Sequence, residues 1–378
     1  MPSTLSPVNP ALVRWAVAED GRTVPELAEQ LAVTETTLDE WMAGEAALTR
    51  GDVSKLADVL RRPRALFFLP AIPAGSSIPA DFRMAPGAEK PVTAAARQKI
   101  REITRVQRAL EWARLPSGVV DVPRSAVGDD PSAVAATLRT WSGLTDAERA
   151  TWKSDGEALN AMRTRLADRG VLVVLTPIGH GELRGLSRWA DYAPLIALHN
   201  SRVSAAARNY TLAHELAHLS SRRDSVCTDL TPAQFSQYEV ERWCERVAAN
   251  FLMPERDVRS LMNRLGITGP TADIDAVRQV MTAFRVSGRA AAARLGDLRL
   301  ASPGLYARVL AVFQPRPPAD RAKGFNRPRH ETRLREYGGP AVSFILGSLP
   351  VVDALSVLRL TVADARKLAE VVPGVPHV

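Results

Sequence analysis

Cysteine is nearly absent from this sequence, with only Cys227 and Cys244 among 378 residues. Two thiols cannot build a disulfide framework, and their scarcity suits a reducing compartment. Long apolar runs are missing as well. No stretch reaches the eighteen or so apolar residues that a membrane helix needs. The opening MPSTLSPVNPALVRW lacks a basic segment followed by an apolar core, so neither a membrane span nor a secretory signal is expected. The expectation is a cytoplasmic protein with no membrane partner.

What is present is ordinary for a globular chain. Hydrophobic residues make up 46% and charged residues 24%, values that argue against disorder. The length favours two or three compact units rather than a single core. The formal charge of +8 hints at an acidic partner such as nucleic acid, but it bears on association and not on chemistry.

Turn signals and apolar spacing divide the chain. Residues 1–69 carry four short amphipathic helix patterns, with Leu12, Trp15 and Ala16 on the first, Leu27, Ala28 and Leu31 on the second, Leu38 and Trp41 on the third, and Leu56, Val59 and Leu60 on the fourth. The second and third lie a few residues apart, with Thr34 placed to cap the third, which is helix-turn-helix spacing. Residues 70–92 are rich in Pro, Gly and Ala and read as a linker. A basic helix is expected over 93–114, with Ile100, Ile103, Val106 and Leu110 inward and its charges solvated. Three strands are expected in VLVVLTP, LRGLSRW and APLIALHN, between a helix at 157–169 and a second helical region. Residues 256–378 read as helical. Within them, 273–300 resembles a second helix-turn-helix unit, with Ala290, Ala293 and Leu295 inward on its second helix. Pro315 to Arg335 reads as a basic exposed loop, and apolar helices span 341–358 and 361–371. The fold class is therefore mainly α with a small β-sheet (α+β).

The chemistry concentrates in YTLAHELAHLS, residues 210–220. Residues four apart on a helix lie about 400° apart, so His214 and His218 share a face and converge on one ion. Glu215 sits about 100° round from His214, suited to act as a general base on a metal-activated water. Leu212, Ala213, Leu216, Ala217 and Leu219 make the helix largely buried, where two histidines and a glutamate are costly without a metal or good partners. A catalytic zinc takes three protein ligands and keeps an open position. Glu241, on the next predicted helix beside the stripe Val240, Trp243, Cys244, Val247 and Ala248, is the third ligand ahead of its neighbours Glu239 and Glu245. Two histidines and a carboxylate suit zinc (Zn) and also manganese (Mn). Cys244 is expected to be a core residue and Cys227 a loop residue. His180 and His199, on strand edges, either stabilise an oxyanion or fill ordinary packing roles.

These residues resemble the ImmA/IrrE metallo-endopeptidases fused to an XRE-type helix-turn-helix domain. The resemblance rests on IPADFR (78–83), RGLSRWADYAPLIALHN, RNYTLAHELAHL, ERWCERVAANFLMP and FRVSGRAAAARL, in that order. It implies a zincin-like core over residues 93–255, gluzincin-type zinc ligation by His214, His218 and Glu241, and Glu215 as the base. It also implies a protein substrate, an XRE-type repressor cut to derepress mobile-element or stress-response genes. Relatives often carry Asn where Glu245 stands.

The N-terminal pattern resembles XRE repressors, with Thr36 and Thr37 as its candidate DNA contacts on the third helix. That helix bears Glu35, Asp39 and Glu40 and no Lys or Arg, whereas phosphate contacts supply much of DNA affinity. Residues 1–62 hold six bases against ten acids, a net of −4, so the remainder carries +12 to give the chain's +8. DNA affinity would then fall to 93–114, 285–299 or 316–335, and the N-terminal domain would serve instead to dock a protein. The rival to the endopeptidase is a transcription regulator or toxin–antitoxin component whose metal site is structural or sensory. The sequence leaves the oligomeric state open.

Overall fold

The computed structural model describes residues 8–72, 93–113, 119–178, 183–200, 203–222, 225–228, 239–313 and 327–376. The IPADFR segment, most of the 70–92 linker, His180 and residues 316–326 of the basic stretch lie outside them. The chain divides into two compact units, Met1–Glu102 and Ile103–Val378.

The first unit is a helical bundle of α1 (Pro10–Asp20), α2 (Val24–Leu31), α3 (Glu35–Ala43) and α4 (Arg50–Leu60), closed by a 3-10 turn at Arg64–Phe68. Local chemistry sets the boundaries. Asn9, Thr23, Thr34 and Thr49 each cap a helix through a side-chain oxygen, and Thr23–Glu26 and Thr49–Asp52 complete capping boxes. Leu12, Leu27, Leu38, Leu56 and Leu60 are fully buried, as the spacing requires. Trp15 is only half-buried, and the Arg62 guanidinium lies 4.6 Å from its ring centroid.

Helix α5 (Ala94–Trp112) buries Ile100, Ile103, Val106 and Leu110 as expected, but its polar face is not simply solvated. Gln107 Nε2 donates to the carbonyls of Arg188 and Ala193, and Glu111 Oε1 accepts from the amides of Tyr192 and Ala193. These bonds satisfy backbone groups at a strand turn, a role that apolar periodicity cannot reveal.

The second unit continues through α6 (Pro131–Ser142), α7 (Asp146–Thr151), α8 (Asp155–Asp168), β1 (Leu172–Thr176), β2 (Leu183–Arg188), β3 (Leu195–His199), α9 (Ala205–Ser220), β4 (Ser225–Thr228) and α10 (Glu239–Leu252). The strand order is β1-β3-β2-β4, with β1 parallel to β3 and β2 antiparallel to both its neighbours. Three strands stand where the apolar runs place them. The fourth, SVCT, is too short to carry a pattern, so Cys227 lies on a strand and not in a loop. Residue for residue β1 and β3 are buried throughout, the signature of strands covered on both faces. β3 is interior, so His199 is buried within the sheet instead of lying on its edge.

Helix α9 packs against β2 and β3 on one side and α10 on another. Leu212, Leu216 and Leu219 are at most 1% exposed, and each such leucine contributes about 1.5–3 kcal/mol. The fully buried Asn209 fixes the start of this helix, donating through Nδ2 to the carbonyls of Asp155 and Arg285.

Downstream come α11 (Glu255–Arg264), α12 (Ile274–Phe284), α13 (Gly288–Asp297) and α14 (Leu305–Val312), whose apolar residues extend the core that holds α9 and α10. On α13 the inward stripe is Ala291, Ala292 and Leu295, while Ala293 is exposed, one position off the expected phase. Then follow α15 (Arg329–Tyr337), α16 (Gly339–Ser348), α17 (Val351–Leu358) and α18 (Val362–Val371). Two expectations need correction here. Arg329 to Arg335 is helical and not loop, because Glu336 and Tyr337 are buried and Arg333 Nε donates to the Leu358 carbonyl at 2.7 Å. The single helix expected over 341–358 is two, broken where Pro350 follows Leu349. Among the described residues no helix is long and apolar enough to cross a membrane.

Replacing Asn209 by Ala leaves two buried carbonyls without their donor. The unfolding free energy is expected to fall by about 1–3 kcal/mol, measured by chemical denaturation of the metal-free chain.

Candidate metal centre

Two helices supply the site. On α9, every residue from Thr211 to Ser220 is buried, so the helix carries His214 and His218 into the core with its leucines. On α10, Trp243, Cys244, Val247 and Ala248 are buried as expected, and Trp243 Nε1 donates to the Asp129 carbonyl, which sets the helix's rotation. That rotation turns Glu241 inward at 8% exposure, while Glu239 faces solvent. Tyr210 Oη reaches from α9 to the carbonyl of Glu245 at 3.0 Å and fixes the two helices' relative height.

The result is a tight cluster. His214 Nε2 and His218 Nε2 lie 3.1 Å apart, Glu241 Oε2 is 3.2 Å from His214 Nε2, and Glu241 Oε1 is 3.4 Å from His218 Nε2. Donors bound at about 2.0–2.1 Å around a tetrahedral ion stand roughly 3.3 Å from one another. The triad therefore has the spacing of a zinc ligand set, and it is the group among the described residues that could hold an ion. Cys244 is a buried free thiol of the core and takes no part.

The electrostatics agree. Burial alone draws the His214 pKa down, but its hydrogen bond to Glu241 and the carboxylates of Glu245, Glu241 and Glu215 outweigh this and raise it to about 9. Burial likewise pushes Glu241 up, yet the hydrogen bonds from His214 and His218 carry it well below the usual carboxylate range. A proton held between these groups stands where a cation would sit. Glu245, one turn beyond Glu241, is not in the triad. Its Oε1 lies 3.7 Å from His214 Nδ1, beyond hydrogen-bond distance, and acts on the ring through its charge.

Glu215 is fully buried beside the triad, and its place depends on a residue that motif reading overlooks. Gly185 on β2 pairs with Leu198 of β3 and Cys227 of β4. A Cβ there would stand 2.6 Å from Thr211 Cγ2, 3.1 Å from Glu215 Oε1 and 3.3 Å from the Ala197 carbonyl. Glycine is thus what lets α9 lie against the sheet with Glu215 between them. The available signal was a glycine inside a strand pattern, which marks close approach of another element.

The remaining candidates are Thr36 and Thr37. Thr36 is exposed on α3, and Thr37 Oγ1 lies 2.8 Å from Thr34 Oγ1 within the helix cap. Both belong to the first unit.

Two outcomes are expected. Gly185→Ala should destabilise the chain by about 1–3 kcal/mol through overpacking, and Thr211→Ser, which removes Cγ2 but keeps the hydroxyl, should restore part of that loss in the double variant, read from denaturation midpoints. Zinc uptake requires the His214 proton to leave, whereas Glu241 is already ionised at ordinary pH. Below pH of about 9 each zinc bound should therefore displace the His214 proton, with affinity rising with pH. Above that pH the His214 contribution should vanish, leaving only the proton that a zinc-bound water gives up above pH of about 7. Calorimetry in buffers of different ionisation enthalpy measures both.

No curated protein and no solved structure matches this chain. A family model does match residues 166–296, a span that holds α9, α10, the His214–His218–Glu241 triad and Glu215. By that match, this part of the chain is similar to the Peptidase_M78 family, the IrrE N-terminal-like domain, and is of metallopeptidase type.

Proposed function

We propose that the chain is a zinc-dependent endopeptidase in which His214, His218 and Glu241 hold the ion and Glu215 is the general base. The observation that carries this reading is the convergence of three buried donors from α9 and α10 within 3.4 Å of one another, with a fully buried carboxylate next to the first of them. Zinc bound there would polarise the scissile carbonyl and bring the pKa of a water to about 7. The chain's own groups do the rest. Glu215 takes the proton from the attacking water at its carboxylate and returns it to the leaving amine nitrogen. Glu245 adds negative charge behind the His214 ring, and Gly185 leaves room for the Glu215 carboxylate between α9 and the sheet. Manganese fits the same donor set, and metal analysis after expression decides between the two ions.

The substrate we infer is a regulatory protein, an XRE-type repressor, inactivated by cleavage to derepress mobile-element or stress-response genes. This rests on resemblance to the ImmA/IrrE family and on the first unit, whose exposed side chains on α3 include Glu35, Thr36 and Asp39 with no Lys or Arg. Such a face suits a protein partner better than the phosphates of DNA.

Glu215→Gln should retain about one zinc per chain and lose about 10²–10⁴-fold in cleavage rate, whereas His214→Ala and Glu241→Ala should lose the metal itself. Metal analysis beside a cleavage assay on candidate repressors reads both. Unchanged function in Glu215→Gln would instead support a regulator whose metal is structural.

A further inference from the structure

A second concave site lies in the unit Ile103–Val378, walled by α8, the start of α9, the end of β1 and the helices α15 and α16. Its volume is about 770 Å³, within the range of small-molecule pockets. Among the described residues four arginines line it, Arg163, Arg208, Arg327 and Arg335, against a single acid, Glu331. That acid is already engaged by Arg327, one helical turn away at 3.8 Å.

Arg163 is the informative member. It is nine-tenths buried on α8, yet no carboxylate among the described residues pairs with it. Its Nη2 donates to the carbonyls of Glu336 at 2.8 Å and Val173 at 3.3 Å, and its Nε has no partner. Gly338, beside this guanidinium, stands at φ +80°, a conformation that favours glycine. Arg208 repeats the pattern, with one bond from Nη2 to the Val203 carbonyl and a buried Nε that is also without a partner. Burial and then Arg208 depress the Arg163 pKa to about 10, while burial and then Arg335 depress that of Arg208. Both remain cationic at neutral pH. Buried like charges with unused donors are unfavourable unless an anion joins them. Asn160 and Thr164 add neutral polar groups, and Leu159, Leu175 and Tyr337 add apolar surface.

We propose that this cavity binds a phosphorylated small molecule of nucleotide size, its phosphate held by Arg163, Arg208 and Arg335 and its apolar portion set against Leu159, Leu175 and Tyr337. Guanidinium forks match phosphate oxygens in pairs, and a pocket of this volume with Arg163 buried in its wall suits a small ligand better than a nucleic-acid backbone. Because Arg208 stands on α9, the ligand bears on the helix that also carries His214 and Glu215.

The test is calorimetric titration of the full chain with ADP, inorganic pyrophosphate and adenosine, at ionic strength matched with sodium chloride. The expected result is saturable binding of ADP, weaker binding of pyrophosphate and none of adenosine. Arg208→Gln should weaken ADP by about tenfold or more. Arg335→Gln, at an exposed position and so no threat to folding, should do the same. Arg256→Gln, outside this cavity, should leave ADP binding unchanged. Failure of both ADP and pyrophosphate to bind at millimolar concentration would overturn the assignment. So would adenosine binding as tightly as ADP, unaltered binding in Arg335→Gln, or duplex DNA binding that Arg335→Gln abolishes while ADP does not bind.

Discussion

The packing of α9 on α10 is the constraint from which the rest of the second unit follows. Leucines and alanines drive the two helices together, and the same burial takes two imidazoles and two carboxylates out of water. Left alone, those groups would be among the least favourable contents of a core. They are tolerated because they meet one another, at separations an ion would also impose. Hydrophobic burial and assembly of the donor cluster are thus one event: whatever loosens the helix pair also spreads the donors.

The surrounding elements can be understood by how they protect that geometry. Asn209 ties the beginning of α9 to the start of α8 and to the turn at Arg285. Tyr210 reaches the α10 backbone, and Trp243 fixes that helix against the Asp129 carbonyl. The sheet closes the other side, with Gly185 allowing an approach no side chain would permit. Asn209, Tyr210 and Trp243 each use a polar group whose partner is a backbone atom, so position is fixed without adding charge to the core. The arginine-lined cavity follows the opposite rule, with charges gathered and left uncompensated, which is the mark of a site built for something else to enter.

Much of this was legible in the sequence because the signals were local. The HExxH spacing puts both histidines on one face in any helix, and the Thr caps mark where the helices of the first unit begin. Apolar runs of five residues sufficed for β1 and β3. Where the signal was weak or the partner distant, expectation and structure part. β4 is too short for a pattern, Ala293 is a small residue in a run of alanines that fits two helical phases, and Arg333 sits in a helix because Leu358 accepts its hydrogen bond from another element.

By itself, then, the sequence determined most of the elements and the pairing of His214 with His218, since helical rotation angles and side-chain chemistry are properties of neighbours along the chain. Which of Glu239, Glu241 and Glu245 faces the histidines was decided only by tertiary structure, because it depends on the rotation that Trp243 and its apolar neighbours impose on α10. The same holds for Gly185 beneath Glu215 and for Arg163, Arg208 and Arg335 around one cavity. Those residues are far apart in sequence and carry no shared period, so only the packed chain brings them into contact.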